Sequence, residues 1–288
     1  EANEYEHLFV SISMFNSRFD EFFALLDSDF YDYIVIDEAH HSQADSYRKL
    51  FDHFQPQLLV GLTATPERMD GKDLRPDFGN RISAEIRLPQ ALQAGLLTPF
   101  QYLCISDDTD LSDDSLWSGQ KYNIERLADK LCAKTRARLI VDALHKYLAD
   151  EYTCRALCFC VNKRHADFMA EQLRLYGFNA QSLTSDTPAE ERKQLAKDLR
   201  EGTLHYLCVV DIFNEGVDIP EVDTVLFLRP TESLTIFLQQ LGRGLRLSAG
   251  KTELTVLDFV AQANRKYDFA SRFRALTLQP EKNIQKQI

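Results

Sequence analysis

Runs of apolar, β-branched residues alternate with segments of helical periodicity along almost the whole chain. Residues 33–36 read Tyr-Ile-Val-Ile, the pattern of a strand buried on both faces, and residues 44–54 repeat apolar side chains at the spacing of one helical face. Further strands are predicted at residues 8–12, 58–60, 101–105, 156–161, 181–184, 206–210, 222–228 and 254–259, and further helices at 163–176 and 188–201. This alternation predicts an α/β fold, with parallel sheets covered by helices.

An acidic stretch divides the chain. Residues 106–119 hold five aspartates without any apolar period, which predicts an exposed linker anchored by Trp117. The predicted domains are residues 1–105, a linker at 106–120, a second domain at 121–262, and a C-terminal docking helix and tail at 263–288. A calcium-binding loop is the alternative for the acidic stretch, but the central glycine and terminal glutamate of an EF-hand are absent from it.

The charge of the chain excludes a protein that holds nucleic acid by bulk charge. The net charge is −11, and residues 1–120 carry 8 basic and 22 acidic side chains, whereas residues 121–288 carry 25 and 22. Any contact with nucleic acid must therefore come from locally placed donors, mostly in the second half. The sequence has no apolar run of 18 residues, no secretory signal and no framework spacing among its six cysteines. We therefore expect a reduced, cytoplasmic protein with no membrane partner.

Two candidate sites follow strands of the first half. Asp37 and Glu38 end the apolar run of residues 33–36, and adjacent carboxylates at a strand end suit Mg²⁺-dependent nucleotide hydrolysis. A polar strand terminus that caps the next helix is the alternative. Thr63 and Thr65 follow the next strand and could relay hydrogen bonds between neighbouring sites. A simple Thr-Pro turn is the alternative there.

Two further candidates lie in the second half. Residues 209–220 run from a strand into a loop where Gly216 permits close backbone approach and Asp218 offers a carboxylate. Residues 239–246 place Arg243 and Arg246 three positions apart, which predicts that both guanidinium groups share one helical face and could contact phosphate oxygens. A surface arginine pair at a helix end is the alternative.

In this order and at these separations, the segments resemble the motifs of superfamily 2 helicases and translocases of the DEAH-box type. Residues 37–40 resemble motif II (Walker B), 63–65 motif III, 157–165 motif IV, 211–220 motif V and 239–246 motif VI, and residues 10–13 resemble the motif that precedes the Walker B strand. The phrases GLTATPERMDG, DIFNEGVDIP and LRPTESLTIFLQQLGRGLR look closest to the helicase (Res) subunit of type III restriction enzymes and to bacterial helicases with an appended phospholipase-D-like nuclease domain. The resemblance implies two RecA-like domains.

The resemblance also implies a role for each matching residue. Asp37 would hold Mg²⁺ through water, and Glu38 would be the general base for the attacking water. His40 would couple the nucleotide site to the second domain through Gln239, and Thr63 and Thr65 would link hydrolysis to domain movement. Arg243 and Arg246 would be arginine fingers on the γ-phosphate, Gly216 and Asp218 would contact nucleotide or ribose, and Ser11, Thr184 and Ser185 would donate to the nucleic-acid backbone.

The phosphate-binding loop of this family is missing from the sequence. No G-x-x-x-x-G-K-[ST] occurs, and only 36 residues precede Asp37, so we expect the first RecA-like domain to be N-terminally truncated and this chain alone to be inactive. The implied function of the parent protein is an ATP-dependent DNA helicase or translocase, with ATP and Mg²⁺ as cofactors and DNA rather than RNA as partner. The alternatives are a translocating motor of a restriction or repair nuclease, with the nuclease domain or subunit outside these residues, and a nucleic-acid-binding scaffold without ATPase activity.

Overall fold

The computed structural model describes residues 6–42, 44–63, 74–119, 121–210, 218–231, 233–263 and 276. The chain divides into two compact units, Glu1–Glu85 and Ile86–Ile288. In the described part of the chain, no helix is both long and apolar enough to cross a membrane.

The first unit pairs two short parallel strands and packs helices around an aromatic core. Its elements are α1 (Ile12–Ser17), α2 (Phe19–Leu25), β1 (Tyr33–Ile36), α3 (Asp45–His53) and β2 (Leu58–Gly61), with 3₁₀ turns at Ala39–His41 and Arg75–Phe78. Strands β1 and β2 run parallel, so that Ile36 lies opposite Gly61. Phe15, Phe22 and Phe54 are buried together and form the centre of this core.

Two predictions for the first unit are wrong. Residues 8–11 form no strand, because the chain enters α1 at Ile12 with Ser11 as its N-cap. Strand β1 is not buried on both faces, since Tyr33 is 68% and Val35 59% exposed. The physical reason is that, among the described residues, β1 pairs only with β2, and the face that carries these two side chains is left uncovered.

The second unit is built on a six-stranded parallel sheet. Its elements are α4 (Leu88–Gln93), β3 (Phe100–Leu111), β4 (Trp117–Ser118), β5 (Lys121–Tyr122), α5 (Ile124–Leu131), α6 (Lys134–Tyr147), β6 (Ala156–Phe159), α7 (Lys163–Leu175), β7 (Ala180–Leu183), α8 (Ala189–Glu201), β8 (Tyr206–Val209), β9 (Thr224–Phe227), α9 (Leu234–Gly244) and β10 (Leu254–Ala263). The strand order is β3-β10-β9-β6-β8-β7 and every neighbouring pair is parallel. Strands β6, β8 and β9 are buried along their whole length. The predicted α/β fold with a helix-covered parallel sheet is confirmed.

The predicted linker is not a linker over its first half. Strand β3 continues to Leu111 as an edge strand of the large sheet, so the boundary at residue 105 falls inside this strand. Asp107 is only 3% exposed, because its Oδ2 pairs with Arg136 Nε at 2.5 Å and its Oδ1 accepts hydrogen bonds from Thr109. Burial by itself would raise the pKa of Asp107, but the Arg136 guanidinium and the Thr109 hydrogen bonds hold it below its usual value.

The rest of the predicted linker and the predicted C-terminal helix have different outcomes. Trp117 does anchor its segment, since its ring centroid lies 4.3 Å from that of Tyr122 across the short hairpin β4–β5. The helix predicted around Phe269 and Phe273 lies outside the described residues. Leu276, which is described, packs against the core of the second unit.

Candidate functional site

A tight turn at the carboxyl end of β1 carries the two predicted carboxylates. Glu38 has a left-handed backbone (φ 49°, ψ 46°), a conformation that non-glycine residues rarely adopt, and its N–H donates to Asp37 Oδ1 at 2.9 Å. The backbone hydrogen bonding between β1 and β2 continues beyond the ends of the strands. Leu62 N donates to Ile36 O and Ala39 N donates to Leu62 O, both at 2.8 Å. The segment after β2 is thereby held beside the carboxylate turn.

His40 joins three of the predicted residues. It is 7% exposed, and its Nδ1 lies 3.2 Å from Thr63 Oγ1 and 3.2 Å from Glu38 Oε2. The Nδ1–Thr63 contact is a hydrogen bond whose direction depends on the imidazole tautomer, and the approach to Glu38 is an ion pair when the imidazole is protonated. The structure thus brings Glu38, His40 and Thr63 together, whereas Thr65 lies outside the described residues.

A second layer of contacts fixes the end of this turn, and sequence reasoning missed it. The Arg48 guanidinium binds both carboxylate oxygens of Asp77, at 3.0 and 2.8 Å, and also donates to Ser42 O at 2.9 Å. The Ser42 hydroxyl donates to Asp77 as well, at 3.3 Å. Asp77 is 29 positions from Arg48, so no local pattern signals the pair.

Tyr47 faces the same carboxylates. Burial raises the pKa of its phenol, and the negative charges of Asp37 and Glu38 raise it further. The phenol therefore remains a neutral hydroxyl beside the site at neutral pH.

The second unit holds the other half of the predicted set. Asp218 forms an ion pair with Arg246, and its backbone oxygen accepts a hydrogen bond from Arg200 Nη2 at 2.7 Å. Arg243 is half-buried in the last turn of α9, and burial, followed by the nearby Arg246 charge, lowers its pKa from the usual value. Gln239 lies one turn earlier in α9, and Gly216 lies outside the described residues.

The prediction that Arg243 and Arg246 share one helical face is wrong. Helix α9 ends at Gly244, so Arg243 is helical and Arg246 is two residues beyond the end. Leu245 N still bonds to Gly242 O at 3.2 Å, but the chain then leaves the helix. Arg246 therefore pairs with Asp218 from beyond the helix, whereas Arg243 projects from its last turn.

The three residues predicted to contact nucleic acid differ in how exposed their hydroxyl groups are. Ser11 is exposed, and its Oγ accepts a hydrogen bond from Met14 N at 3.1 Å as the cap of α1. Thr184 is 7% exposed, and its Oγ1 accepts from Asp186 N at 3.3 Å. Ser185 is exposed at the turn, whose backbone is fixed by Arg192 Nη2 at 2.7 Å from Ser185 O. The accessible hydroxyls are those of Ser11 and Ser185.

Comparison with known protein families matches both halves of the chain. Residues 1–68 match the family described as type III restriction enzyme, res subunit, and residues 139–248 match the helicase conserved C-terminal domain. IRC3 of Saccharomyces cerevisiae, provisionally named an ATP-dependent helicase, is 30% identical over 238 residues, which cover 80% of this chain and 34% of that protein. The chain is thus similar to helicases and to restriction-enzyme subunits over both of its halves.

Solved structures agree with this relationship. A fragment provisionally assigned as the HsdR subunit of a type I restriction enzyme from Vibrio vulnificus is 26% identical, with a TM-score of 0.65 over 91% of this chain and 48% of that one. The type ISP restriction-modification enzyme LlaBIII, solved bound to DNA, shares the fold at 17% identity, with a TM-score of 0.63 over 92% of this chain and 21% of that one. The RecA-like architecture expected from the helicase motifs is thus confirmed. The chain spans about a third to a half of the length of the first curated relatives it matches.

Proposed function

We propose that this chain is the motor core of an ATP-dependent DNA helicase or translocase of the DEAH-box type. The observation that carries the proposal is the cluster of Glu38, His40 and Thr63 at the carboxyl end of β1. That edge of a parallel sheet is where nucleotides bind in α/β folds. The phosphate-binding loop is not among these residues, so we propose that a longer protein supplies it.

The residues of the turn fit Mg²⁺ and ATP. Asp37 is an exposed carboxylate directly after a strand, and Mg²⁺ prefers oxygen ligands while keeping several of its waters. When bound, the ion would neutralise charge on the phosphates. Asp37 would hold the ion through water. Thr63 would couple this site to the rest of the protein through its contact with His40.

Glu38 is proposed as the general base. Its carboxylate would accept the proton of the attacking water, and the His40 Nδ1–H would keep that carboxylate in one orientation. Arg243 and Arg246 would donate to phosphate oxygens, where charge develops during phosphoryl transfer. Because Arg246 Nη1 is paired with Asp218, this ion pair must open before that nitrogen can reach a phosphate.

The test is Glu38→Gln in the protein that supplies the phosphate loop. The amide keeps the shape of the side chain but cannot take a proton, so we expect phosphate release to fall by about a hundredfold or more, with nucleotide affinity changed only a few-fold. Glu21→Gln, an exposed carboxylate on α2, is the matched control and should leave both unchanged. Equal turnover in Glu38→Gln and wild type would remove the role given to Glu38.

We propose that the nucleic acid along which the protein moves is DNA. Ser11 and Ser185 would contact its sugar–phosphate backbone, which carries no base information and suits a motor that steps along any sequence. Stimulation of phosphate release by DNA and not by RNA of the same sequence would support this choice, and the reverse would overturn it. No release with either, from a folded protein that contains the loop, would favour a nucleic-acid-binding scaffold without ATPase activity.

A motor within a restriction or repair nuclease is the second candidate. The resemblance of residues 1–68 to the res subunit family and the likeness to an HsdR fragment support it. Its nuclease, for which a phospholipase-D-like domain is one candidate, would lie outside this sequence. All six cysteines are free thiols, which favours a reducing compartment such as the cytoplasm.

A further inference from the structure

Lys251 binds three backbone carbonyls where α9 ends. Its Nζ lies 2.5 Å from Gly244 O, 3.0 Å from Arg246 O and 3.1 Å from Pro220 O. An ammonium group has three N–H donors, so the three acceptors use all of them. Gly244 is the last residue of α9, so its carbonyl is beyond the reach of the helix's own N–H groups, and a cation at this end also interacts favourably with the helix dipole.

The turn that delivers Lys251 is specified by the sequence. Lys251 N donates to Ser248 O at 3.2 Å, and Gly250 within this turn has φ +81°, which a side chain would strain.

The sequence of residues 250–252, Gly-Lys-Thr, matches the last three positions of the phosphate-binding loop consensus. However, the residue five positions before Gly250 is Leu245 rather than glycine, and strand β10 follows instead of a helix. The ammonium is used for carbonyls and not for phosphate.

The three carbonyls belong to the segments that carry the candidate catalytic groups. Gly244 and Arg246 flank the end of α9 just after Arg243, and Pro220 follows Asp218 by two residues. Thr98 holds the same end from another side, with its N–H on Leu245 O at 2.8 Å and its hydroxyl on Arg246 O at 2.9 Å. The backbone around Arg246 is therefore fixed by two independent side chains.

We propose that Lys251 is a positioning residue, which fixes the backbone of Arg243 and Arg246 against the segment that carries Asp218. This proposal rests on the proposed function, because it matters for turnover only if the two arginines contact phosphate. Lys251 would act through the arginines, since its own donors are occupied. Displacement of a catalytic group by about 1 Å can cost up to a hundredfold in rate, so loss of this anchor should affect the chemical step more than binding.

The charge state of Lys251 gives the proposal a signature in pH. Burial lowers the pKa of Lys251 to about 8, and the carboxylates of Asp223 and Glu221 partly oppose this shift. Glu221 is itself 3.7 Å from Arg200, and Asp223 accepts from Arg155 N. Above pH 8 the neutral amine has two N–H donors for three carbonyls, so the anchor weakens as pH rises.

The experiment compares Lys251→Met with wild type in the protein that supplies the phosphate loop. Methionine keeps the unbranched stem and removes the donors, so we expect kcat to fall by about tenfold while the KM for ATP stays within about twofold. The kcat of the wild type should decline above pH 8, and the kcat of Lys251→Met should show no such decline. Lys197→Met, an exposed lysine of α8 paired only with Glu201, is the control and should match wild type. Unchanged kcat and pH profile in Lys251→Met would overturn the proposal.

Two measurements keep the proposal separate from folding defects and from the proposed function. Amide exchange of residues 242–247 should be faster in Lys251→Met, and NMR of labelled lysine Nζ should give Lys251 a pKa near 8 in the wild type. If the wild type shows no hydrolysis, the proposed function fails, and amide exchange still decides whether Lys251 fixes this backbone. Unchanged exchange would overturn the proposal.

Discussion

Asp107 and Arg136 form an ion pair in which both side chains are almost fully buried. Each is 3% exposed, and the pair joins β3 to α6 in the second unit. Two charges removed from water are costly unless each has its partner, and the loss of one partner leaves the other charge buried alone. At the scale of single residues, this pair therefore ties the edge strand β3 to α6.

Arg136→Met should destabilise the protein by about 3–5 kcal/mol, because Asp107 then remains buried without its cation. Chemical denaturation of the variant gives this value. The control is Arg164→Met, which removes a pair with Asp129 that is exposed on both sides and should cost less than about 1 kcal/mol. Equal effects of the two substitutions would contradict the importance assigned to burial. The double variant Asp107→Leu/Arg136→Met should recover part of the loss.

Helix α9 packs against the six-stranded sheet and carries Arg243 in its last turn. It lies so close to the sheet that a Cβ on Gly244 would be 2.6 Å from Leu254 Cδ1 and 3.1 Å from Val225 Cγ2, whereas a Cβ on Gly242 would meet nothing within 4 Å. The close approach of helix and sheet fixes the height of Arg243 above β9 and β10. A glycine at 244 is thus required by packing, and one at 242 is not.

Gly244→Ala and Gly242→Ala should have opposite effects. The first forces a methyl group into a filled core and should destabilise the protein by about 1–3 kcal/mol. The second replaces a helical glycine with the best helix former and should stabilise it by about 0.5–1 kcal/mol. Thermal unfolding of both variants provides the measurement. If Gly244→Ala were as stable as wild type, the close packing of α9 on the sheet would be wrong.

The accuracy of the sequence predictions depends on how local the determining interactions are. Helices α7 and α8 are predicted within two residues, because each has apolar periodicity and is followed within two positions by a glycine, Gly177 or Gly202. The linker is wrong because the partner that buries Asp107 is 29 positions away. The grouping of Glu38 with His40 follows from a contiguous motif, whereas Thr98 bonds to Arg246, 148 positions away, Arg48 to Asp77, 29 positions away, and Lys251 to Pro220, 31 positions away. No periodicity in one sequence reports such contacts.

At the scale of the whole molecule, the two units have separate hydrophobic cores. The core of Glu1–Glu85 is the aromatic cluster around Phe15, and the three clusters of the second unit draw all their members from Ile86–Ile288. A unit whose core is complete within its own residues has what it needs to fold alone. We therefore expect the second unit to be stable without the first.

A chain limited to residues 86–288 should fold and unfold cooperatively. We expect a single thermal transition and the far-UV circular dichroism of a mixed α/β protein, with no requirement for nucleotide. The matching piece, residues 1–85, has a two-stranded sheet with exposed Tyr33 and Val35 and should be much less stable alone. A molten or aggregated 86–288 chain would mean that its sheet depends on contacts outside it.

The ion pair between Asp218 and Arg246 turns nucleotide binding into a competition. Under the proposed function, a phosphate that binds Arg246 Nη1 must displace Asp218 from that nitrogen, and the affinity gained from this donor is reduced by the fraction of molecules in which the pair is closed. Both side chains of the pair are exposed, so the competition costs less than about 1 kcal/mol. Each binding event then frees the Asp218 carboxylate, while Arg200 still holds the Asp218 backbone oxygen.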